Sequence, residues 1–234
     1  MVDINKYILT LNDLLKKEFK ERLIYVGLQG SYLRGEATEN SDIDIMVIID
    51  ELSVSDLAAY RSIIESLGDF NKSCGFICSK EDMKNWNPLE ICNLINSTKD
   101  YYGVLTKLVP SYTNEDIKNF IKFSINNLYH EICHRYIHSD KEKNVGALPF
   151  VYKGVYFILQ NLYFLTNGEF VSTKNELLNK LIGKDYEVLK RSMEYGESNF
   201  DESFELLFSW CQETLKRCKK DSTKRRLKAM NNFL

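Results

Sequence analysis

Two runs rich in β-branched and aromatic residues, RLIYVGLQGS at 22–31 and DIDIMVIID at 42–50, bracket one polar, glycine-containing loop. Such residues fit a pleated, half-buried surface, so both runs read as strands. The first breaks at Gly30 and Ser31, which predicts a turn there. The second alternates Asp and Ile before becoming continuously apolar, the pattern of a strand whose far half is buried. A pair of strands flanking a single loop therefore constrains everything around it.

The neighbouring segments fit a mixed α/β arrangement. Ile4, Ile8, Leu11, Leu14, Leu15 and Phe19 recur at spacings of three and four and predict an amphipathic opening helix. Ser55 or Asp56 is the expected cap of a helix running to Leu67, and CGFICS at 74–79 reads as a third strand. Residues 91–97 continue as helix, and DYYGVLTKLVP at 100–110 reads as a last strand ended by Pro110. From residue 114 onward helical periods dominate, over 117–137, 150–165, 174–181 and 204–218, with no strand candidate of comparable strength. The switch predicts an α/β (α+β) domain with a mixed sheet over 1–112, followed by an all-α helical bundle over 113–234.

Composition narrows the class. The 234 residues are 44% hydrophobic and 27% charged, proportions that allow a real core. Lys and Arg number 31 against 33 Asp and Glu, so overall charge gives no reason to expect nucleic-acid binding. The local basic excess at 216–228, with Arg217, Lys219, Lys220, Lys224, Arg225 and Arg226, reads as a solvated terminal helix. No segment has the pattern of a signal peptide, and no apolar run approaches the roughly 20 residues of a membrane helix. Six scattered cysteines then suggest free thiols in a reducing cytoplasm, with Cys74 and Cys78 too isolated a pair to argue for zinc. Aromatic and apolar helix faces permit a homodimer without requiring one.

The block GSYLRGEATENSDIDIMV, residues 30–47, carries the chemistry. Asp42 and Asp44 are one residue apart on a predicted strand, so their side chains share a face about 6.5 to 7 Å apart. Two carboxylates facing one site repel each other unless a cation intervenes, and Mg²⁺ takes a few carboxylates together with phosphate oxygens and water. Gly30 lets backbone amides approach phosphate oxygens and the Ser31 hydroxyl adds a hydrogen bond. Arg34 is within reach of the same charge, and Ser41 is placed to position the loop. Each feature alone suits an ordinary turn or edge strand; the combination is far more restrictive.

These residues closely resemble the signature of the DNA polymerase beta-like nucleotidyltransferase superfamily, and in particular its minimal and antibiotic-modifying members. The resemblance implies that Asp42 and Asp44 bind catalytic Mg²⁺ and that Gly30 and Ser31 hold the triphosphate of ATP or another nucleoside triphosphate. The implied reaction is attack by an acceptor hydroxyl on the α-phosphorus, moving a nucleoside monophosphate, AMP by preference, onto a small molecule such as an aminoglycoside or lincosamide. LTNGEFVSTKNELLNKL is similar to the Gly-x-x-x-Ser-Lys region of the antibiotic-modifying members, although Thr173 displaces Lys174; Lys153 is a second candidate cation for the nucleotide. The chain departs from many members in having Gly75, Phe76 and Ile77 where a third carboxylate would stand. Glu81 and Asp82 follow that strand, and Glu131 in the helical half is a candidate general base.

Other readings stay open at this level. The chain could be a nucleotide-binding regulatory or antitoxin-like module acting on a partner protein, or a degenerate relative that lacks activity. HEICH at 130–134 has the form of a zinc metalloprotease motif. His130, His134 and His138 lie on one helical stripe but span about 12 Å, too far for one zinc, and the extended protease pattern fails at Ile137. Tyr129, Tyr152, Tyr156 and Tyr163 have the spacing of helix-core residues as readily as of an acceptor-site lining.

Overall fold

The computed structural model describes residues 2–194 and 200–231, with side chains described through residue 218. The basic side chains expected on a solvated face at Lys219, Lys220, Lys224, Arg225 and Arg226 lie outside the described residues. Contacts divide the chain into two units, Met1–Thr113 and Asn114–Leu234.

The first unit is organised about strand β2 (Ile43–Ile49), which pairs antiparallel with β1 (Leu23–Leu28) and parallel with β3 (Ser73–Ser79). A short β4 (Lys99–Tyr102) pairs antiparallel with β1, giving a mixed four-stranded sheet in the order β3-β2-β1-β4. Helix α1 (Ile4–Phe19) precedes β1, and α2 (Gly30–Arg34) separates β1 from β2. A parallel pair needs a crossover, supplied between β2 and β3 by α3 (Val54–Ser66). Helices α4 (Lys80–Lys84) and α5 (Pro88–Asn96) fill the stretch between β3 and β4.

Period-two alternation sorts the sheet into two faces. Ile43, Ile45, Val47 and Ile49 join Val26 and Leu28 in a cluster with Ile8, Leu11, Leu15 and Phe19 of α1, against which Ile63 and Ile64 of α3 also pack. Met46 and Ile48 face the other way, toward Tyr25, Cys78 and Met83, with Trp86 and Leu94 at the margin. Each fully buried aliphatic side chain of β2 contributes roughly 1.5 to 3 kcal/mol relative to exposure, so this strand is the chief hydrophobic anchor of the unit.

Local chemistry moves several boundaries. The cap of α3 is Ser53, and Asp56 is the third helical residue of a capping box, its carboxylate accepting from the Ser53 backbone N–H at 2.9 Å. Arg22 then donates to Asp56 at 2.8 Å and to Asp50 at 2.9 Å, tying the end of β2 to the start of α3. The expected long last strand stops at Tyr102, because Gly103 turns the chain at φ +74° and a 3-10 turn, Leu105–Lys107, follows.

The second unit is helical throughout its described elements: α6 (Asn114–His138), α7 (Lys141–Asn167), α8 (Lys174–Lys180), α9 (Gly183–Met193) and α10 (Phe200–Asn231). Ile117, Ile121, Ile125, Leu128 and Ile132 form the buried stripe of α6. Tyr152 and Tyr156 of α7 are buried, and their hydroxyls donate to the carbonyls of Ser203 and Ser172, both at 2.6 Å. They are core residues whose polar ends are satisfied within the bundle. Among the described residues no helix is long and apolar enough to cross a membrane.

Candidate active site

The site begins where β1 ends. The Gln29 backbone N–H donates to the Asp44 carbonyl at 2.9 Å, extending the β1–β2 pairing by one bond. The Gln29 side chain donates to the Thr98 hydroxyl at 2.8 Å, which in turn donates to the Leu94 carbonyl at 2.5 Å. The chain then turns at Gly30, φ +68°, directly into α2. A Cβ at Gly30 would land on the Asp44 carboxylate, so glycine is required for backbone conformation and for the close approach. The expected turn at Gly30 and Ser31 is thus the first turn of a short helix pressed against an acid.

Asp42 is exposed and lies one residue before β2; Asp44 is half-buried, the second residue of the strand. Burial raises the Asp44 carboxyl above its ordinary value. A hydrogen bond with the Cys74 thiol opposes that rise, the Asp42 charge adds to it, and the Arg34 guanidinium offsets it. Arg34 also pairs with Glu36 at 2.8 Å, both side chains being largely shielded from solvent. One cation, two aspartates and a glycine-led helix start thus meet at one corner of the sheet.

Cys74 is the residue that sequence reasoning missed. The parallel register sets Asp44 beside Cys74, Ile45 beside Gly75 and Met46 beside Phe76, so Cys74 is the β3 residue in register with Asp44, and its thiol hydrogen-bonds that carboxyl. β3 holds no carboxylate. Asp82 accepts from the Ser79 hydroxyl at 2.6 Å and backbone at 3.0 Å in the capping box of α4, while Glu81 pairs with Lys84. Neither acid replaces the missing one. Cys74 and Cys78, four residues apart on one strand, are about 13 Å apart along it and cannot share an ion. Cys74, Cys78, Cys92, Cys133 and Cys211 are free thiols; burial pushes Cys78 and Cys211 up to about 12.

The acid pair would suit a magnesium ion that takes phosphate oxygens and water in its remaining positions. Two carboxylates, one half-desolvated and raised by its neighbour's charge, stand against a backbone that leaves no room for a side chain at Gly30. Mg²⁺ uses one or two carboxylates plus phosphate oxygens and water in such sites. Among the described residues no group of three His, Cys, Asp or Glu is arranged to hold a metal on its own. That also leaves HEICH without the third ligand a catalytic zinc needs.

The remaining candidates have local partners. Ser41 accepts from the Thr38 backbone N–H at 2.8 Å, closing the loop ahead of Asp42. Glu131 pairs with Arg135 at 2.9 Å on the exposed face of α6. Lys153 is exposed, its ammonium 4.9 Å from the Phe150 ring centre, and Lys174 lies 6.0 Å from that of Tyr156. Thr173, the residue that displaces Lys174, caps α8 by accepting from the Glu176 N–H at 3.2 Å.

A mixed sheet with an acid pair at the head of its second strand, facing a Gly-Ser helix start, defines the class: the chain carries a DNA polymerase beta-like nucleotidyltransferase domain. Residues 11–102 match the family described as the nucleotidyltransferase domain. Among individual proteins, the chain is 48% identical over 54 residues to MJ1379 of Methanocaldococcus jannaschii, named as a candidate protein adenylyltransferase; the match covers 23% of this chain and 52% of that one. It is 51% identical over 39 residues to the protein adenylyltransferase MntA of Thermococcus cleftensis, covering 16% and 39%. The chain thus spans about half or less of the length of these curated relatives. In fold it is similar to the spectinomycin adenyltransferase AAD(9) of Enterococcus faecialis, solved with ATP and spectinomycin: TM-score 0.60, 16% identity, 91% of this chain and 99% of that one.

Proposed function

We propose that the protein transfers a nucleoside monophosphate, AMP by preference, from a magnesium-bound nucleoside triphosphate to a hydroxyl group of a small molecule. The observation that carries this reading is the close approach of Gly30 to the Asp44 carboxylate, which supports reading the turn at Gly30 as a phosphate cradle beside the acid pair. Asp42 and Asp44 would hold the ion, which supplies positive charge to the triphosphate oxygens. Gly30 and Ser31 would admit and orient the phosphates, Ser41 would hold the loop in place, and Arg34 would oppose charge on the departing pyrophosphate. The acceptor oxygen forms a bond to the α-phosphorus as the bond to the β-phosphate oxygen breaks; the hydroxyl proton passes to a base, for which Glu131 is the candidate. Catalysis on this reading is positioning and electrostatics.

Likeness to AAD(9) extends through the helical half and supports a two-part, small-acceptor enzyme, with Lys153 and Lys174 as candidate contacts to the nucleotide. A protein acceptor is the second reading, favoured by the short stretches of high identity to protein adenylyltransferases. Pyrophosphate release from each of the four triphosphates with Mg²⁺, against aminoglycosides, lincosamides, spectinomycin and candidate partner proteins, separates the two. A product heavier by one AMP in a small-molecule arm supports the first reading. A mass increase confined to a protein arm replaces it with the second, and silence in every arm removes both.

A further inference from the structure

We propose that His134 and His138, at the carboxy-terminal end of α6, form a two-nitrogen chelate for a divalent transition-metal ion of the Ni²⁺ and Cu²⁺ type, separate from the proposed magnesium site. His130, His134 and His138 occur every fourth residue, and all three are exposed on one helix face. The ring centres of His134 and His138 are 4.8 Å apart and those of His130 and His134 are 5.9 Å apart. An imidazole nitrogen about 2.1 Å from a metal puts its ring centre about 3.2 Å away, so two cis rings have centres about 4.5 Å apart at a square-planar ion and about 5.2 Å at a tetrahedral one. The His134–His138 spacing falls between those values; the His130–His134 spacing exceeds both.

The scaffold beneath the pair is fixed. The Asn144 amide donates to the Arg135 carbonyl at 3.0 Å and to the Ser139 carbonyl at 3.3 Å, tying the last turn of α6 to the start of α7. Glu131 is engaged by Arg135 and does not complete a third ligand. The chelate therefore has two protein nitrogens with water in the other positions, which suits a surface binding site rather than a hydrolytic centre. Imidazole selects Ni²⁺, Cu²⁺ and Zn²⁺ over Mg²⁺, whereas the oxygen-only pair Asp42 and Asp44 has the opposite preference. The two sites are thus distinguishable by ligand chemistry, and the chelate does not depend on the proposed transferase activity.

The test uses the full chain without a purification tag and Ni²⁺ as probe, which does not oxidise thiols. Calorimetric titration of the wild type, His130→Ala, His134→Ala and His138→Ala gives the affinities. Alanine favours helix at these exposed positions, and circular dichroism of each variant checks that α6 persists. One-to-one binding is expected in the wild type, weakened about tenfold or more by His134→Ala or by His138→Ala and changed less than about threefold by His130→Ala. Ni²⁺ should also raise the unfolding temperature of the wild type and of His130→Ala, and not of the other two. Equal affinity across all four proteins overturns the proposal, as does loss confined to His130→Ala or the absence of any binding to the wild type.

Discussion

The two faces of β2 carry opposite burdens. On one, Ile43, Ile45, Val47 and Ile49 are at most 2% exposed and closed over by α1 and α3. On the other, Met46 and Ile48 are equally buried, but the face ends in Asp44, half-covered, with Cys74 beside it and Asp42 just outside the strand. A single strand thus supplies both the unit's anchor and the edge that carries the proposed magnesium-binding acids. The acidic end is the costly one: a carboxyl raised by burial and by a like charge is held in place by a strand stabilised elsewhere.

Substitutions on the two faces should therefore separate stability from turnover. Ile45→Ala empties a fully closed position and is expected to cost between about 2 and 5 kcal/mol in urea unfolding; a smaller loss would mean that the α1–α3 face is not the anchor. Gly30→Ala adds strain at φ +68° and pushes on the Asp44 carboxylate, for about 2 kcal/mol of stability with a parallel loss of pyrophosphate release. Unchanged release would break the link between the helix start and the acid.

Asp44→Asn has the opposite sign. Because burial raises the folded-state pKa above that of the unfolded chain, the ionised form weakens the fold, and that penalty grows as pH rises through the folded value. Without metal at neutral pH, Asp44→Asn should raise the unfolding midpoint; a fall would show that the acid is not under strain. Asp56, on the closed side, behaves conversely: hydrogen bonds from Arg22 and then Ser53 hold its carboxyl well below the usual range. Its contribution is present above the ordinary carboxylate value near 4 and is lost as pH falls further, so Asp56→Asn should lower the midpoint at pH 7 and flatten its acid limb. The smallest effect is expected at Cys74→Ala, which removes a weak thiol hydrogen bond and should leave turnover within about threefold. A larger loss would give Cys74 a part in the reaction.

The same contrast explains what was legible in the sequence. β1, β2 and β3 are marked by composition and period, and the Gly-Ser and Asp-x-Asp signals survive because they depend on neighbours within the block. The proximity of Cys74 to Asp44 depends on register across the α3 crossover, which no local pattern encodes. The cap of α3 falls at Ser53 because Asp56 serves as the reciprocal partner of a capping box, a role that side-chain identity alone does not separate from a cap. Helix α7 begins at Lys141, upstream of Pro149, where the sequence reading starts it at 150. Only Val188 and Leu189 of α9 are buried, too few apolar positions to mark a period in advance.

The most direct test of the acid pair is Mg²⁺-dependent pyrophosphate release by the wild type, Asp42→Asn and Asp44→Asn, side by side, each checked for fold by circular dichroism. Release that depends on Mg²⁺ in the wild type and falls at least about 100-fold in both folded variants is the expected result. Turnover by either folded variant at the wild-type rate would contradict the assignment of Asp42 and Asp44 as the centre of the reaction.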